Sequence, residues 1–550
     1  MNSRTFLLSL GPLILLACSH TSQKASDRNP NSVADISMEQ VSSELGLTTF
    51  QLESMNKVFA DFLDSEKFPT EFCSKTQLDQ EKKVCQLMEK IKFDLTKIDS
   101  QKVHGRLKKS TIAANQSLSY GNAIRLINNV DPKKILKWSD DFITSDTCPR
   151  NLTAAAARKL EEVLVKPEAF TAIEKLYENA SKCLKPEDEG YEATHFREAL
   201  LRRLKGDNDG AKKSIQLAVN ATNSDEKGRV LFWAGVILEN SGPKNKYWQK
   251  LVEKQPLTFH ALQVWNAQTK DPLEMINDRN SFDIVRSVEG PNSNTTFTLR
   301  WVEVFYLTNR FNAGDKLTKW MSQTSGPIPK ATVMYFATLA TARAKPHNTI
   351  SFLTTEVIKD PTLLNAQVLK LLFPIPYYDV FEKYCDGIDA FLVLGLARQE
   401  SAFDPSIVSK KKARGLMQLL PMHAKRGKKR DLFDAEVNAR IGIKFLNRLI
   451  DKYEGVEFAL AAYNAGPARI VDWKKRYPTK DLVLFMDLIP FKETRNYVAS
   501  ILRNNYWYHR LYVNDPALKR DKFSDSNRSS HLVSDMLAVQ MGRKPTSLIR

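Results

Sequence analysis

The sequence lacks the residue patterns that mark metal, nucleotide and serine-hydrolase sites. It has six cysteines and eight histidines among 550 residues, and none of them falls in a C-x-x-C or H-x-x-x-H spacing. A G-x-x-x-x-G-K phosphate loop and a G-x-S-x-G nucleophile motif are also absent. We therefore expect no metal and no cofactor.

A hydrophobic run long enough to span a bilayer is missing as well. The apolar run Phe6–Ala17 has twelve residues, which suits the core of a signal peptide but falls short of the roughly 20 residues of a transmembrane helix. It leads into "LLAC", which resembles a bacterial lipobox with Cys18 as the lipidated residue. We expect a lipoprotein signal peptide over residues 1–17; a cleaved signal peptide with an incidental cysteine is the alternative.

Acidic residues are outnumbered, and the formal net charge of +18 favours an anionic partner. Export of the chain argues against nucleic acid, so acidic lipid or an acidic polymer of the cell envelope is expected instead. The polar residues 18–37 predict a flexible tether that keeps the folded part near the membrane. Ser19 stands where an aspartate often means inner-membrane retention of a lipoprotein, which favours a periplasmic protein anchored in the outer membrane.

The five cysteines after the lipobox can form at most two disulfide bonds. In an oxidising compartment, Cys73 with Cys85 and Cys148 with Cys183 are the nearest in sequence and are expected to form bridges. At least one of the five then stays unpaired.

Most of the chain has the pattern of helices. From residue 38 to 375, apolar residues recur at three- and four-residue spacing without sustained alternation, which predicts an all-α fold. Glycine-containing breaks at 204–211 and 240–243 separate consecutive helices, and such hairpins stack into a superhelix to bury their apolar faces. The stretch FPIPYY then marks a boundary, so we expect a compact domain over 376–512 and a basic tail over 513–550.

A single carboxylate stands out at the start of this compact domain. Ile388, Phe391, Leu392 and Leu396 have the spacing of a buried helix face, and Glu400 follows one turn later. Burial disfavours the charged form of a carboxyl group, so the pKa of Glu400 is expected to rise toward the range of a general acid. A solvent-facing glutamate at the helix end is the alternative.

Three ordered motifs surround Glu400. They are "ESAFDPSIVSKKKARGLMQLLP" from Glu400 to Pro421, "AAYNAGPARIVDW" from Ala461 to Trp473 and "IPFKETRNYV" from Ile489 to Val498. This series closely resembles the soluble lytic transglycosylases, and residues 228–266 resemble the end of the helical superhelix in the same family. The resemblance implies a superhelix followed by a goose-lysozyme-like, mainly α catalytic domain.

The resemblance also implies an activity and a site. Glu400 would be the catalytic residue that cleaves the bond between N-acetylmuramic acid and N-acetylglucosamine in peptidoglycan, leaving 1,6-anhydro ends. The residues implied in substrate binding are Ser409, Gly415, Met417, Gln418, Tyr463, Asn464, Glu493 and Tyr497. An amide such as that of Gln418 offers both a donor and an acceptor to an N-acetyl group.

Some alternatives stay open from the sequence. Glu493 can touch the substrate or form an ordinary ion pair with Arg495, and Phe491 and Tyr497 can pack against a sugar. Lys412 replaces a glycine that the family usually has at this position, which leaves the shape of the loop open. A water-using muramidase of the goose-type lysozyme kind and a glycan-binding scaffold without activity are the two other functions considered.

Overall fold

The computed structural model describes residues 37–65, 67–76, 78–101, 119–136, 150–163, 168–221, 226–239, 244–277, 286–343, 346–424, 429–515, 518, 530, 532–533 and 536–537. All regular structure in these ranges is helical, apart from isolated bridges that Arg414 forms with Val408 and with Leu419. The all-α prediction is therefore confirmed. The predicted signal peptide, Cys18 and Cys148 lie outside the described residues.

The described helices divide between two compact units. The first unit combines chain up to residue 104 with residues 273–376 and the short stretch 402–404. Its helices are Met38–Leu45, Thr49–Ser65, Thr70–Lys75, Asp79–Gln101, Ser293–Leu307, Phe311–Thr324, Lys330–Arg343, Pro346–Lys359 and Ala366–Leu372, with a 3-10 turn at Pro361–Leu363. The short helix Pro272–Asn277 also belongs to this unit, apart from Pro272, which belongs to the second.

Distant parts of the chain meet in the core of this first unit. The Phe59 ring packs edge-on against Trp301 at 5.6 Å and against Phe305 at 5.3 Å. The Arg286 guanidinium donates to Glu44 at 2.6 Å and to Glu303 at 2.8 Å. The first helices are thus held by residues more than 200 positions later in the chain.

The second unit combines residues 105–272 with most of the chain after 376. Its earlier helices are Tyr120–Asn128, Arg150–Val163, Glu168–Cys183, Tyr191–Leu204, Asn208–Val219, Lys227–Leu238, Lys246–Lys254 and Phe259–Ala267. Its later helices are Tyr378–Tyr384, Ala390–Ser401, Ala435–Tyr453, Val456–Ala465, Pro467–Arg476, Leu482–Leu488 and Lys492–Tyr512, with 3-10 turns at Pro421–His423 and Lys429–Phe433.

Local sequence explains where many of these helices begin. Asp207 follows Gly206, whose φ of 80° suits glycine, and its carboxylate accepts from the Gly210 amide at 2.9 Å. The predicted break at 204–211 thus separates two helices that pack on each other, Tyr191–Leu204 and Asn208–Val219. Side chains cap other helices in the same way, namely Asn245, Thr258, Asn292, Asn365, Asp434 and Asp481.

One of the expected disulfides is present. Cys73 is bonded to Cys85, whereas the second expected pair involves Cys148 and lies partly outside the described residues. Cys385 is a free thiol, and burial raises its pKa. Across the part of the chain that the structure describes, no helix combines the length and the apolar character that crossing a membrane requires.

A few described residues of the C-terminal tail pack into the second unit. Ser530 is fully buried and donates its hydroxyl to the Glu457 carboxylate, and Met536 is buried and accepts from the Gln263 amide at 3.3 Å. From the sequence, this stretch was predicted only as part of a basic tail over 513–550, without any contact.

Candidate active site

Glu400 lies at the end of a helix that packs tightly on the last long helix. Residues 390–397 of the Glu400 helix, Ala390–Ser401, are all buried. A Cβ added to Gly395 would lie 3.1 Å from the Ile501 carbonyl oxygen of the Tyr497 helix, Lys492–Tyr512. The Asn504 side chain also donates to the Gly395 carbonyl at 3.2 Å. This contact fixes Glu400 relative to Tyr497.

The start of the Glu400 helix is also fixed, through hydrogen bonds of Asp389. The Asp389 carboxylate accepts from the Phe391 amide at 2.9 Å, which caps the helix. Its second oxygen accepts from the Asn505 amide at 2.6 Å and from the His509 ring at 2.7 Å. Burial alone would raise the pKa of Asp389, but the neighbouring His509 and these hydrogen bonds lower it.

The Glu400 carboxyl group has the properties of a general acid. The side chain is partly exposed, and its Oε1 accepts from the Tyr497 hydroxyl at 2.5 Å. Burial raises the pKa of Glu400 to about 7, the Tyr497 hydrogen bond opposes this, and the charge of Glu493 adds to it. Near neutral pH the group can therefore both give and take a proton.

Two tyrosines frame this carboxyl group. Tyr463 lies near the end of the helix Val456–Ala465, which stops at Gly466 with φ of 93°, and its hydroxyl donates to the Met417 carbonyl at 2.8 Å. Burial and the charge of Glu400 raise the pKa of both Tyr463 and Tyr497, so both stay protonated. The Tyr497 ring is only 5% exposed, so its hydroxyl, and not its ring face, is the group that acts.

The loop that follows Glu400 is shaped by close backbone packing. Gly415 has φ of 76°, and a Cβ at this position would lie 2.2 Å from the Leu432 carbonyl oxygen and 2.3 Å from the Asn438 amide. Met417 is buried, and its backbone amide donates to Asn438 Oδ1 at 2.8 Å. No side chain fits at Gly415, which explains the glycine of the first motif.

Two other predicted binding residues, Gln418 and Ser409, form hydrogen bonds to the backbone of this loop. The Gln418 amide donates to the carbonyls of Gly415 at 3.0 Å and Ile407 at 3.2 Å, so its remaining oxygen is the group available to a ligand. Ser409 Oγ accepts from the Ala413 amide at 3.0 Å. Both side chains hold the loop together as well as lying near its surface.

Lys412, which replaces the family glycine, has the backbone conformation that favours glycine. Its φ is 65°, and its amide donates to the Ser409 carbonyl at 2.8 Å. Lys410, Lys411 and Lys412 are all exposed. The loop thus keeps a left-handed turn despite the substitution.

The third motif brings further predicted residues to the site. The Thr494 hydroxyl donates to Asn464 Oδ1 at 2.6 Å, which joins the second and third motifs. Glu493 is exposed, and the Arg495 guanidinium pairs with Glu226 at 3.0 Å and not with Glu493. Of the two alternatives for Glu493, the ion pair with Arg495 is therefore not formed. Phe491 lies edge-on to Trp473 at 5.4 Å.

Sequence reasoning missed Asn438, whose hydrogen bonds hold the backbone of the loop that follows Glu400. Asn438 is fully buried and donates to the carbonyls of Leu432 at 2.7 Å and Arg414 at 3.0 Å. Its signal was a polar residue directly beside the apolar stripe Ala439, Ile443 and Leu446 of the helix Ala435–Tyr453.

A buried carboxylate ahead of the third motif was also missed. Asp487 accepts from Arg229 Nε at 2.7 Å, Trp233 Nε1 at 2.7 Å and the His260 ring at 2.8 Å. Burial would raise the pKa of Asp487, but the charges of His260 and Arg229 hold it far below its usual range. The signal lay in the 228–266 segment, whose Arg229 and Trp233 carry part of the family resemblance.

Comparison with known proteins gives a family match for the segment around Glu400. Residues 381–484 match the family described as "Transglycosylase SLT domain". No cluster of acidic, histidine or cysteine side chains that could bind a metal ion occurs in the described ranges.

Two bacterial relatives illustrate the similarity. The soluble lytic murein transglycosylase of Escherichia coli K12 is 35% identical over 160 residues, which cover 26% of this chain and 25% of that protein. The membrane-bound lytic murein transglycosylase F of Actinobacillus pleuropneumoniae serotype 5b is 33% identical over 116 residues, or 20% of this chain and 24% of that protein. The chain spans about a quarter of the length of these relatives.

A solved structure matches over a longer range with lower similarity. The 70-kDa soluble lytic transglycosylase of Escherichia coli aligns with 90% of this chain and 84% of its own, at 17% identity and a TM-score of 0.47. Independently of this structural similarity, the segment that matches the transglycosylase SLT domain family, residues 381–484, contains Glu400.

Proposed function

We propose that the protein is a peptidoglycan lytic transglycosylase with Glu400 as its catalytic residue. The observation that carries this proposal is a single carboxyl group whose pKa is about 7, hydrogen-bonded to Tyr497 within a transglycosylase SLT domain. The relatives named above are lytic murein transglycosylases, and murein is the peptidoglycan of the bacterial wall. No metal or cofactor is required by the mechanism.

In the first step, protonated Glu400 gives its proton to the oxygen of the bond between N-acetylmuramic acid and N-acetylglucosamine. The bond breaks, and the acetamido oxygen of the muramic residue stabilises the positive charge that develops at C1. A pKa near 7 keeps a large share of Glu400 protonated at neutral pH, which this step needs.

In the second step, the same carboxylate acts as a base. It removes the proton of the muramic C6 hydroxyl, whose oxygen attacks C1 and closes a 1,6-anhydro ring. The hydrogen bond from Tyr497 stabilises the ionised carboxylate between the two steps. An intramolecular nucleophile has a high effective molarity, so ring closure competes with attack by water and no second carboxylate is needed.

The remaining predicted residues take positioning roles in this proposal. Tyr463, Met417 and Gly415 fix the loop next to Glu400, and the free oxygen of Gln418 accepts from the N–H of an acetamido group. Ser409 and Asn464 add polar groups. Glu493 acts through its charge, which raises the pKa of Glu400.

Hydrolysis of the same bond is the second candidate function. A water-using glycosidase of the inverting type needs a second carboxylate that acts as a base on the opposite face of the sugar. Glu493 is the carboxylate whose charge reaches Glu400 among the described residues, and it is exposed. Formation of the 1,6-anhydro ring is therefore better supported than hydrolysis. The pKa of about 7 suits Glu400 to proton transfer, which argues against a scaffold without activity.

The experiment is digestion of purified cell-wall sacculi followed by mass spectrometry of the fragments. We expect 1,6-anhydro ends from the wild type and none from Glu400→Gln, since loss of a general acid and base costs ~10²- to 10⁴-fold per step. Glu493→Gln is the matched control and should still give anhydro ends. Reducing ends would favour hydrolysis, and an absence of fragments from the wild type would favour a scaffold.

We also propose that the protein is a lipoprotein of the cell envelope, tethered through Cys18 over residues 18–37. The basic composition supports contact with an acidic envelope polymer. The division into a superhelical domain over 38–375 and a catalytic domain over 376–512 stays a prediction. Cys18→Ser should move the protein from the membrane fraction to the soluble envelope fraction, and unchanged membrane association would contradict the anchor.

A further inference from the structure

A cavity in the second unit has no role in the reaction described above. It has a volume of about 300 Å³ and lies between the N-terminal turns of the helices Lys227–Leu238 and Phe259–Ala267 and one face of the Tyr497 helix. Its polar lining includes Lys227, Arg229, Thr258, Asn496, Ser500 and Arg503. We call it the Arg503 cavity.

The negative charge at this cavity is already neutralised. Glu226 is the one carboxylate among the described residues that line it, and its oxygens accept from Arg229 at 2.8 Å and from Arg495 at 3.0 Å. Burial would raise the pKa of Glu226, but the charges of Arg495 and Arg229 lower it to about 2. Arg229 also pairs with the buried Asp487 at 2.7 Å. These groups balance one another and leave the other cations uncompensated.

Arg503 is a cation in the wall whose charge no carboxylate of the described residues balances. Its Nε and Nη2 donate to the neutral Asn504 Oδ1 at 3.1 and 2.7 Å, and Arg398 donates to the same oxygen at 3.2 Å. Within the described chain, Arg503 forms no ion pair with a carboxylate. Burial and the neighbouring Arg398 lower the pKa of Arg503 to about 9. A partly buried guanidinium without a counter-charge is costly, and an anion beside it would stabilise it.

The other groups around the cavity also favour binding of an anion. Lys227 is exposed at the rim and has no salt bridge in the described ranges. The helix Phe259–Ala267 presents its N-terminal turn to the cavity, with the positive end of its dipole. Ser500 and Asn496 add neutral hydrogen-bonding groups. Two cations, a helix N-terminus and neutral polar groups form a setting for an anion with further polar atoms.

We propose that the Arg503 cavity binds a carboxylate of a short peptide, with Arg503 and Lys227 as its counter-charges. The identity of that peptide as the one attached to peptidoglycan glycan strands rests on the proposed function. The cavity would then recognise the peptide part of the substrate, while the Glu400 site acts on the sugar part. Arg503 follows Tyr497 on one helix, so one element carries both recognition and catalysis.

The first test measures binding of a peptide probe to the full chain by isothermal titration calorimetry. The probes are N-acetyl-Ala-Glu, its diamide and inorganic phosphate. We expect the diacid to bind, the diamide to lose binding, and Arg503→Gln to weaken the diacid by at least about tenfold, the usual loss for a charged hydrogen bond. Lys227→Gln should weaken binding of the diacid less than Arg503→Gln does. Because Lys227 is exposed, this variant leaves the fold intact.

The matched control is Lys254→Gln, an exposed lysine of the helix Lys246–Lys254 that does not line the cavity, and it should bind as the wild type does. Equal affinity for the diacid and the diamide, or unchanged affinity in both Arg503→Gln and Lys227→Gln, would overturn the proposal. Tighter binding of inorganic phosphate than of the diacid would overturn the assignment to a carboxylate.

The second test uses turnover of glycan strands with and without their peptides. Arg503→Gln should raise KM for peptide-bearing strands about tenfold and leave peptide-free strands unaffected. An equal loss on both substrates would show a structural role for Arg503. Absence of turnover by the wild type would contradict the proposed function alone, because the calorimetric result decides the cavity independently.

Discussion

At the scale of single residues, the Glu400 carboxyl group is balanced between two protonation states. Burial favours the neutral form and the Tyr497 hydroxyl favours the charged form, and the pKa settles at about 7. A residue that must first donate and then accept a proton benefits from a pKa near the pH at which it works. Tyr497 is therefore as important to the second step as burial is to the first.

Replacing Tyr497 by phenylalanine should move the pH dependence of the reaction. A hydrogen bond to a charged group is worth about 1.5–3 kcal/mol, so the pKa of Glu400 should rise by about one unit or more. Glu400 acts first in its protonated form, so activity is lost as pH rises through this pKa, and the alkaline limb should shift to higher pH. The rate of turnover measured as a function of pH gives the position of this alkaline limb.

Tyr384→Phe is the control, because the Tyr384 hydroxyl donates to the exposed Glu436 at 2.6 Å and has no contact with Glu400. Its pH profile should match that of the wild type. An unshifted alkaline limb in Tyr497→Phe would show that the hydroxyl does not act on Glu400.

Lys412→Gly should stabilise the protein. A left-handed backbone costs a non-glycine residue about 1–2 kcal/mol, and the greater freedom of glycine in the unfolded chain offsets part of that gain. We expect the free energy of unfolding to rise by about 0.5–1 kcal/mol in denaturant titration. Lys411→Gly, at a neighbour without a positive φ, should lower it, and a loss in Lys412→Gly would mean that the lysine side chain itself holds the loop.

At the scale of elements, the loop after Glu400 depends on a helix that comes later in the chain. Asn438 bonds to the Met417 amide and to the carbonyls of Arg414 and Leu432, which places three backbone groups of the loop and its flank. The loop has almost no regular structure of its own. Its shape is thus set by one buried amide and by the space that Gly415 leaves free.

Asn438→Ala should therefore destabilise the loop and slow the reaction. Each buried backbone group that loses its partner costs about 1–3 kcal/mol, and some of these groups can reach water after local rearrangement. We expect a loss of about 2–4 kcal/mol in denaturant unfolding. Lys444→Ala, at an exposed position of the same helix, is the control and should change the stability little. Full stability in Asn438→Ala would show that the loop holds itself.

The sequence was a good guide to elements and a poor guide to side-chain partners. Apolar spacing predicted the Glu400 helix, and the glycine-containing stretch 204–211 predicted the break between the helices Tyr191–Leu204 and Asn208–Val219. The hydrogen bonds of the Gln418 side chain and the pairing of Arg495 with Glu226 could not be predicted. Periodicity reports which face of a helix is buried, but long-range polar pairs leave no periodic signal.

At the scale of the whole molecule, Asp487 binds helices from widely separated parts of the second unit. Asp487→Asn removes the negative charge, and its amide N–H group replaces an oxygen that accepts from Arg229 or from Trp233 and His260. Breaking a buried charge pair costs about 3–5 kcal/mol. We expect a loss of that size in urea unfolding at pH 7. Asp209→Asn, at an exposed acid of the same unit, should have little effect.

The loss should also depend on pH in a defined direction. The pKa of Asp487 is lower in the folded than in the unfolded protein, so its contribution is full above the unfolded pKa of about 4 and fades as pH falls. The stability curves of the wild type and Asp487→Asn should converge below pH 4. Parallel curves would show that the carboxylate charge does not contribute.

The composition of the two units was beyond sequence reasoning for the same reason. Hairpins were predicted from neighbouring helices, such as Tyr191–Leu204 and Asn208–Val219. The contact of Phe59 with Trp301, or of Arg197 with the Tyr477 hydroxyl at 3.0 Å, joins residues that no local pattern relates. Local order can be read along the chain, while assembly depends on surfaces that form only after the helices exist.

The joining of the first helices to residues after 285 has a consequence for how the chain is made. A ribosome adds residues in order, so Phe59 and Glu44 are synthesised well before Trp301 and Arg286, their partners. At ~5–20 residues per second, the interval is roughly ten seconds to a minute. During that time Phe59 lacks Trp301 and Phe305, the rings that cover it in the folded protein. This exposed part of the helix Thr49–Ser65 is therefore a site for chaperone binding and for proteolysis in the newborn chain.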